Sequence, residues 1–183
     1  MDEVYVTELV TTGNMGYPKD EVVEVAICRM LADGSDFDLL YNDAVALDPR
    51  DLGKDSLDFL QQDCGMEPEE LYAGEEKGIV AKHVQDVLFG KECTSYNVGS
   101  TYGKYLCFEP WDLTRNATML PSISVHLPME LKGPPEREHE LIRLAYDRMC
   151  PGDPAGVGDG RRAIHLAQMA VSVLMVLRRD GWF

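Results

Sequence analysis

The chain is short of positive charge. Its 183 residues hold 17 Lys and Arg against 32 Asp and Glu, a formal charge of −15. Such a balance gives no general attraction to nucleic acid or to an anionic membrane, so contact with either requires a local basic patch or a bound divalent metal. Long apolar runs are also missing. The closest, Met169 to Leu177, falls short of the roughly 20 residues that span a bilayer. No basic run precedes the apolar part of MDEVYVTELV, which argues against a signal peptide and for a cytoplasmic protein without membrane contact. Cysteine is sparse and unpaired in pattern: Cys28, Cys64, Cys93, Cys107 and Cys150 are odd in number, widely spaced and free of any C-x-x-C. They fit reduced thiols of a cytosolic protein, and their spacing excludes a zinc cluster. His139-Glu140 has no second histidine at the metalloprotease offset. Nothing around Cys64 or Cys93 supports a nucleophile pair with His83 or His126. Internal repeats and low-complexity tracts are absent.

What remains is the composition of a folded domain. The chain is 45% hydrophobic and 27% charged, which fits one globular domain over residues 1–183. β-branched residues predict strands at Val4 to Val10, Val22 to Met30 and Phe37 to Asn42, the last two joined by the turn Ala32-Asp33-Gly34-Ser35. Short helical pieces follow around Leu57 to Gln62 and Met66 to Leu71. A longer helix is expected over Glu75 to Phe89, with Ile79, Val80, His83, Val84, Val87 and Leu88 at three- and four-residue spacing. Strands are predicted at Cys93 to Val98 and Ser122 to Leu127, with a helix at Ser100 to Phe108 between them. LKGPPE (131–136) is a loop. Helices are expected over Glu138 to Met149 and Arg161 to Arg179, separated by the Gly/Pro loop PGDPAGVGDG. This order predicts an α/β fold: a mixed sheet begun by an antiparallel meander, continued through helical crossovers and flanked by helices.

The first strand ends in Glu8-Leu9-Val10-Thr11-Thr12-Gly13. Together with Val22-Val23-Glu24-Val25-Ala26, the phrase Gly65 to Leu71, Tyr96-Asn97-Val98-Gly99-Ser100-Thr101 and His165-Leu166-Ala167-Gln168-Met169-Ala170, it stands in a familiar order. In that order the chain resembles the DnaQ-like 3′–5′ exonucleases, the DEDD group on the RNase H-like fold. The resemblance covers almost the whole length and implies a five-stranded mixed sheet. In that family the first strand carries D-x-E-T-T-G, and the last helix carries H-x-A-x-x-D.

The chemistry behind those motifs is two-metal phosphodiester hydrolysis. Two divalent cations clamp the attacking water and the leaving oxygen, and Mg²⁺ requires converging oxygen ligands. Residues i and i+2 of a strand share one face, so D-x-E delivers two carboxylates together. By resemblance, the four acid positions fall here on Glu8, Val10, Thr101 and Ala170, and the general-base histidine on His165. Glu8 alone keeps a carboxylate, which leaves it a doubtful metal ligand. Thr11, Thr12, Gly13 and Asn97 match the family's substrate-binding positions. Asp2, Glu3, Asp112 and Asp159 do not restore the ligand set in any register.

The resemblance therefore implies an exonuclease-like protein that has lost its metal chemistry, with no cofactor. Its partner is then the 3′ end of a single-stranded nucleic acid, a protein, or a second copy of itself. A working metal-dependent exonuclease, using Mg²⁺ or Mn²⁺ on Glu8, His165 and Asp112 or Asp159, is the alternative. A plain interaction protein without nucleic-acid contact is the third reading, and the negative charge favours it. Arg161 and Arg162 open the last helix, where an anion would bind, although a solvated pair is the more ordinary expectation. Tyr102, Lys104 and Tyr105 suit either base stacking or plain packing, and packing is favoured. Trp111 and Trp182-Phe183 fit the core or an exposed patch.

Overall fold

The first strand sets the architecture. In the computed structural model, which describes residues 3–134 and 137–183, β1 (Val4–Thr11) is buried along nearly its whole length. Its alternate side chains serve two cores. Val4, Val6 and Val10 join one cluster, and Tyr5 and Leu9 join the other. That is the period-two pattern of a strand covered on both faces.

β2 (Val22–Met30) and β3 (Phe37–Ala44) complete the antiparallel meander. β4 (Glu92–Thr94) then pairs in parallel with β1, and β5 (Thr118–Met119) in parallel with β4. The sheet is five-stranded, in the order β3-β2-β1-β4-β5. This is the α/β fold, with the mixed sheet, that the sequence implied. The helices are α1 (Lys54–Gln62), α2 (Pro68–Ala73), α3 (Lys77–Leu88), α4 (Glu138–Met149) and α5 (Ala163–Arg179). α4 and α5 cover the Val10 face, and α3 covers the Leu9 face. Each fully buried Val or Leu adds about 1.5–3 kcal/mol, so the two cores, rather than surface ion pairs, hold the layers together.

Four expectations need correction. The Ser122–Leu127 segment is no strand but a 3₁₀ turn over Ile123–His126, and the fifth strand is β5 instead. Only Ile123 and Leu127 of that stretch are buried, four residues apart, while Val125 is 56% exposed. Its β-like alternation misleads because Pro121 and Pro128 bound it and its amides serve turns: the Val125 N–H donates to the Ser122 carbonyl and the Leu127 N–H to the Ser124 carbonyl, while the Ile123 N–H reaches the Ser95 carbonyl. The strand expected over Cys93–Val98 stops at Thr94, since the Tyr96 N–H is taken by the Glu8 carboxylate. Ser100–Phe108 is helical, but it is a π-helix over Gly99–Leu106, closed by the Cys107 N–H on the Tyr102 carbonyl at 2.9 Å. Tyr102 and Tyr105 are buried there and pack in the core on the Leu9 face. On α3 the buried residues are Val80, Ala81, Val84 and Leu88, and Ile79 faces outward. Asp2, and Pro135 and Glu136 of the LKGPPE loop, lie outside the described residues.

Candidate functional site

A cleft of about 1050 Å³ opens at the end of β1, between the Thr-Thr-Gly turn, the π-helix, α4 and α5. Glu8 and Thr101 line it, with Thr11, Thr12 and Gly13 at its edge. From α5 it receives Leu166 and Met169.

Of the four positions that the resemblance assigns to acids, Glu8 and Thr101 line the cleft, and Val10 and Ala170 lie in the core behind it. Val10 and Ala170 are both 0% exposed and belong to the same apolar core, while Thr101 is 4% exposed. A carboxylate does stand opposite Val10: Glu24 on β2 is its register partner. It is committed elsewhere. Arg162 reaches Glu24 Oε1 through Nε at 2.9 Å and Glu70 Oε1 through Nη1 at 3.1 Å, and the Ala163 N–H donates to Glu24 Oε2. The chain's own carboxylate therefore occupies the anion-favouring start of α5. Arg161 pairs with Asp63 at 2.9 Å. Neither arginine is left as a free anion receptor, and Arg162 is a structural ion pair rather than a solvated one.

His165 does not line the cleft. Its Nδ1 lies 3.3 Å from the Arg162 N–H, within the first turn of α5. A Cβ at Gly160 would fall 2.1 Å from the same nitrogen, so only glycine permits this approach. Burial and the neighbouring arginines hold the imidazole below its usual range. Glu8 lines the cleft, whereas His165 is turned to the Arg162 amide at the start of α5.

The turn residues hold the protein's own backbone. Thr11 Oγ1 and the Tyr105 hydroxyl both donate to the Gly13 carbonyl, at 2.6 and 2.7 Å. Thr12 Oγ1 accepts from the Glu21 N–H. Gly13 is required by a close approach, since a Cβ would sit 2.4 Å from Asp20 Oδ1. Asn97 Oδ1 accepts from the Ser100 N–H in the first turn of the π-helix, at 3.3 Å. Asp159 does reach the cleft, whereas Asp112 starts a separate 3₁₀ turn and Glu3 pairs with Arg29.

One functional candidate was missed in the sequence. Glu138, in the first turn of α4, lines the cleft with Glu8. Glu8 is 2% exposed. Burial first, and the Glu138 charge second, push its carboxyl well above the usual range, against the pull of the Tyr96 N–H on Oε1 at 2.5 Å. Burial likewise raises Glu138 to about 7, although the Ser100 hydrogen bond and Lys104 act against it. Glu138 opens an amphipathic helix and looks like an ordinary first-turn acid, so only the fold reveals the pair.

The cleft is electronegative. Acidic side chains outnumber basic ones around it. Its cations are engaged: Lys104 Nζ donates to the Asn14 carbonyl at 2.7 Å, Arg137 pairs with Glu140, and Arg143 donates to the Gly160 carbonyl. Two Mg²⁺ ions need several converging oxygen ligands. Among the described residues no group of three or more His, Cys, Asp or Glu converges in that way. The donor set does not fit the family's metal pair. No helix among the described residues is long and apolar enough to cross a membrane.

No protein-family model and no curated protein matches the sequence. Solved structures do match. A 3′-exonuclease, seen in 3′-end specific recognition of a histone mRNA stem-loop, superposes with a TM-score of 0.70 at 13% identity, over 98% of this chain and 83% of its own. E. coli Exonuclease I in complex with a dA16 oligonucleotide gives 0.63 at 12% identity, over 99% of this chain but 42% of its own. A zinc-bound complex of the same enzyme with single-stranded DNA gives 0.64 at 12% identity, over 99% of this chain and 41% of its own. With this superposition, and with the sheet order and α5 in place, the chain has the fold of the DnaQ-like DEDD 3′–5′ exonucleases.

Proposed function

We propose that this chain is an exonuclease-fold domain that has lost two-metal hydrolysis and serves as a non-catalytic binding domain, acting as a single unit over residues 1–183 in the cytoplasm. One observation carries the reading: Val10, Thr101 and Ala170, which the resemblance sets at three of the family's four acid positions, are buried and carry no carboxylate. A single carboxylate there cannot balance two divalent cations. The commitment of Thr11, Thr12, Gly13 and Asn97 to internal hydrogen bonds supports the same reading. Nucleic-acid 3′ ends, which the histone mRNA 3′-exonuclease recognises, and proteins are both partners to test. The electronegative cleft supports the protein.

A second reading rests on Glu138. Its carboxyl beside Glu8, with Asp159 on the rim, makes a different acid set for a working 3′–5′ exonuclease that uses Mg²⁺ or Mn²⁺. The two readings separate in one assay. Mn²⁺ and Mg²⁺ are titrated into the protein, and a 3′-labelled single-stranded oligonucleotide is followed for degradation, with Glu8→Ala as control. Degradation that disappears in the control establishes the rearranged enzyme. Neither metal binding nor degradation is the outcome expected here.

A further inference from the structure

We propose that a second, smaller cavity beside the cleft binds a small carboxylate, with its oxygens on the Tyr96 hydroxyl and the Lys132 ammonium and its short aliphatic tail against Leu141. The inference goes beyond both readings above and depends on neither, since it assigns a ligand to a different cavity.

The cavity has a volume of about 220 Å³ and lies between the turn after β4, the Ile123–His126 turn, the segment after the 3₁₀ turn Met129–Leu131, and the start of α4. Tyr96 marks it as a site. That residue lines the cavity and is 2% exposed, and among the described residues its hydroxyl has no hydrogen-bond partner. An unpaired buried hydroxyl is costly, so it calls for a partner from outside the chain. Burial first, then the Glu138 charge, holds this hydroxyl well above the usual phenol range, so it stays protonated and donates. Glu138 lines the same cavity, which puts the hydroxyl end of the ring toward it. Lys132 supplies the second donor. Its Nζ donates to the Val125 carbonyl at 2.7 Å, and both residues line the cavity. That bond fixes the head group and leaves two of its three hydrogens. Among the described residues no carboxylate pairs with Lys132. Asn97 Oδ1 is committed to the Ser100 N–H, so the Asn97 amide offers donors rather than an acceptor.

The chemistry selects the ligand. Donors outnumber free acceptors, and the acid of the wall is already engaged: Glu138 takes the Ser100 hydrogen bond. Burial holds it at about 7, so below that pH it faces the cavity largely without charge. A planar carboxylate brings one negative charge and two oxygens, one for each donor. Leu141, 7% exposed, gives its tail an apolar wall. A Cβ at Gly133 would stand 3.0 Å from Leu141 Cδ1, so the loop presses that side chain into place. The volume equals about seven waters of liquid, enough for an acid of a few carbons and far too little for a nucleotide. Water filling the space would lie in part against Leu141, without partners there. A divalent cation would meet a hydroxyl proton and an ammonium in place of converging oxygens.

The test is an NMR titration of the isotope-labelled protein with sodium butyrate, below the pH at which Glu138 ionises. The amides of Asn97, Ser124 and Gly133 are expected to shift, with a Kd on the order of 1 mM for a ligand this small. Butyramide, with the same shape and no charge, should bind at least about tenfold more weakly. Tyr96→Phe keeps the ring and removes a hydroxyl that pairs with nothing. It should melt no lower than wild type and bind butyrate about tenfold more weakly, which corresponds to 1.4 kcal/mol. Lys132→Ala, at an exposed position, should weaken binding by a similar factor and keeps the test decisive if the buried variant folds poorly. Lys82→Ala removes the same charge from α3, on the opposite face of the sheet, and should change nothing. Equal losses in the two lysine variants, unchanged binding in Tyr96→Phe, or no shift at the three amides overturns the site. Equal affinity for butyramide overturns the carboxylate. A Gly/Ser peptide with a free C-terminus, beside its amidated form, separates the sources: selective binding of the free-ended peptide supports the site with a chain end as ligand, and binding of butyrate alone supports it with a free acid. The Mn²⁺ and oligonucleotide assay above reads the cleft, so that reading and this one fail separately.

Discussion

The Arg162 guanidinium closes on the Glu24 carboxylate, with Nη2 2.5 Å and Nε 2.9 Å from the same oxygen. Glu24 lies near the start of β2, beside the central strand β1, and Arg162 precedes the helix that covers it. This pair ties α5 to β2 opposite Val10 of β1. Glu24→Gln leaves the Arg162 charge partly buried and weakens the acceptor at the start of α5. The loss of one partner from such a pair costs about 3–5 kcal/mol, toward the lower end here because Arg162 is 24% exposed. Urea denaturation should show that loss, and Arg162→Ala a comparable one. A change below about 1 kcal/mol would demote the pair to a surface ion bridge.

The Glu8–Glu138 pair has the opposite sign. Both carboxyls are held above their usual range, Glu138 at about 7. Between about 4.5 and about 7 the folded chain binds more protons than the unfolded one. Stability attributable to this pair is therefore full at low pH and declines as pH rises through that window. Glu138→Gln should raise the melting temperature at pH 8, flatten the decline between pH 5 and 7, and stabilise the neutral protein by on the order of 1 kcal/mol after allowance for solvent screening. Thermal melts across pH test this. A wild-type profile that rises through the window would contradict it.

Much of this architecture is legible in the residues. The period-two run of β1 and the spacing of α3, α4 and α5 carry strong, local signals. So does the substitution of the acid positions, which is a matter of residue identity. Other features depend on encounters between distant segments. The Ile123–His126 turn alternates like a strand, and only its flanking prolines and the Ser95 carbonyl decide otherwise. The π-helix has no local signature that separates it from an α-helix. Glu138 is 130 residues from Glu8 in the chain, so no motif spacing connects them. Arg161 and Arg162 look like a free basic pair until Asp63, Glu24 and Glu70 arrive from other elements.

A buried hydroxyl pair ties the π-helix to the sheet. The Tyr102 hydroxyl donates to Thr7 Oγ1 at 2.9 Å, and both residues are within 2% of full burial. Tyr102→Phe keeps the ring and removes the donor, leaving the Thr7 hydroxyl without it. The expected cost is about 1–3 kcal/mol, read by calorimetry, with Thr7→Val partly relieving it in the double variant because both polar groups are then gone. Additive losses would mean that the two hydroxyls are not coupled.

Placing acids at the substituted positions tests the non-catalytic reading most directly. Val10→Glu, Thr101→Asp and Ala170→Asp place carboxylates at the three substituted positions, two of them at 0% exposure. Without a cation each buried charge costs several kcal/mol. The total approaches the roughly 5–15 kcal/mol by which domains are stable, so the triple variant should melt far lower at neutral pH or fail to fold. A cation that binds only the folded form adds about 2.7 kcal/mol at a hundredfold excess over its dissociation constant. Mn²⁺ should therefore raise the melting temperature of the triple variant, or rescue its folding, and leave the wild-type chain unchanged. Ala170→Asp alone separates core damage from metal binding, since it should lose stability without recovering it in Mn²⁺. Equal stabilisation of wild type by Mn²⁺ would show that Glu8 and Glu138 already hold a metal, and the non-catalytic reading would fall with that result.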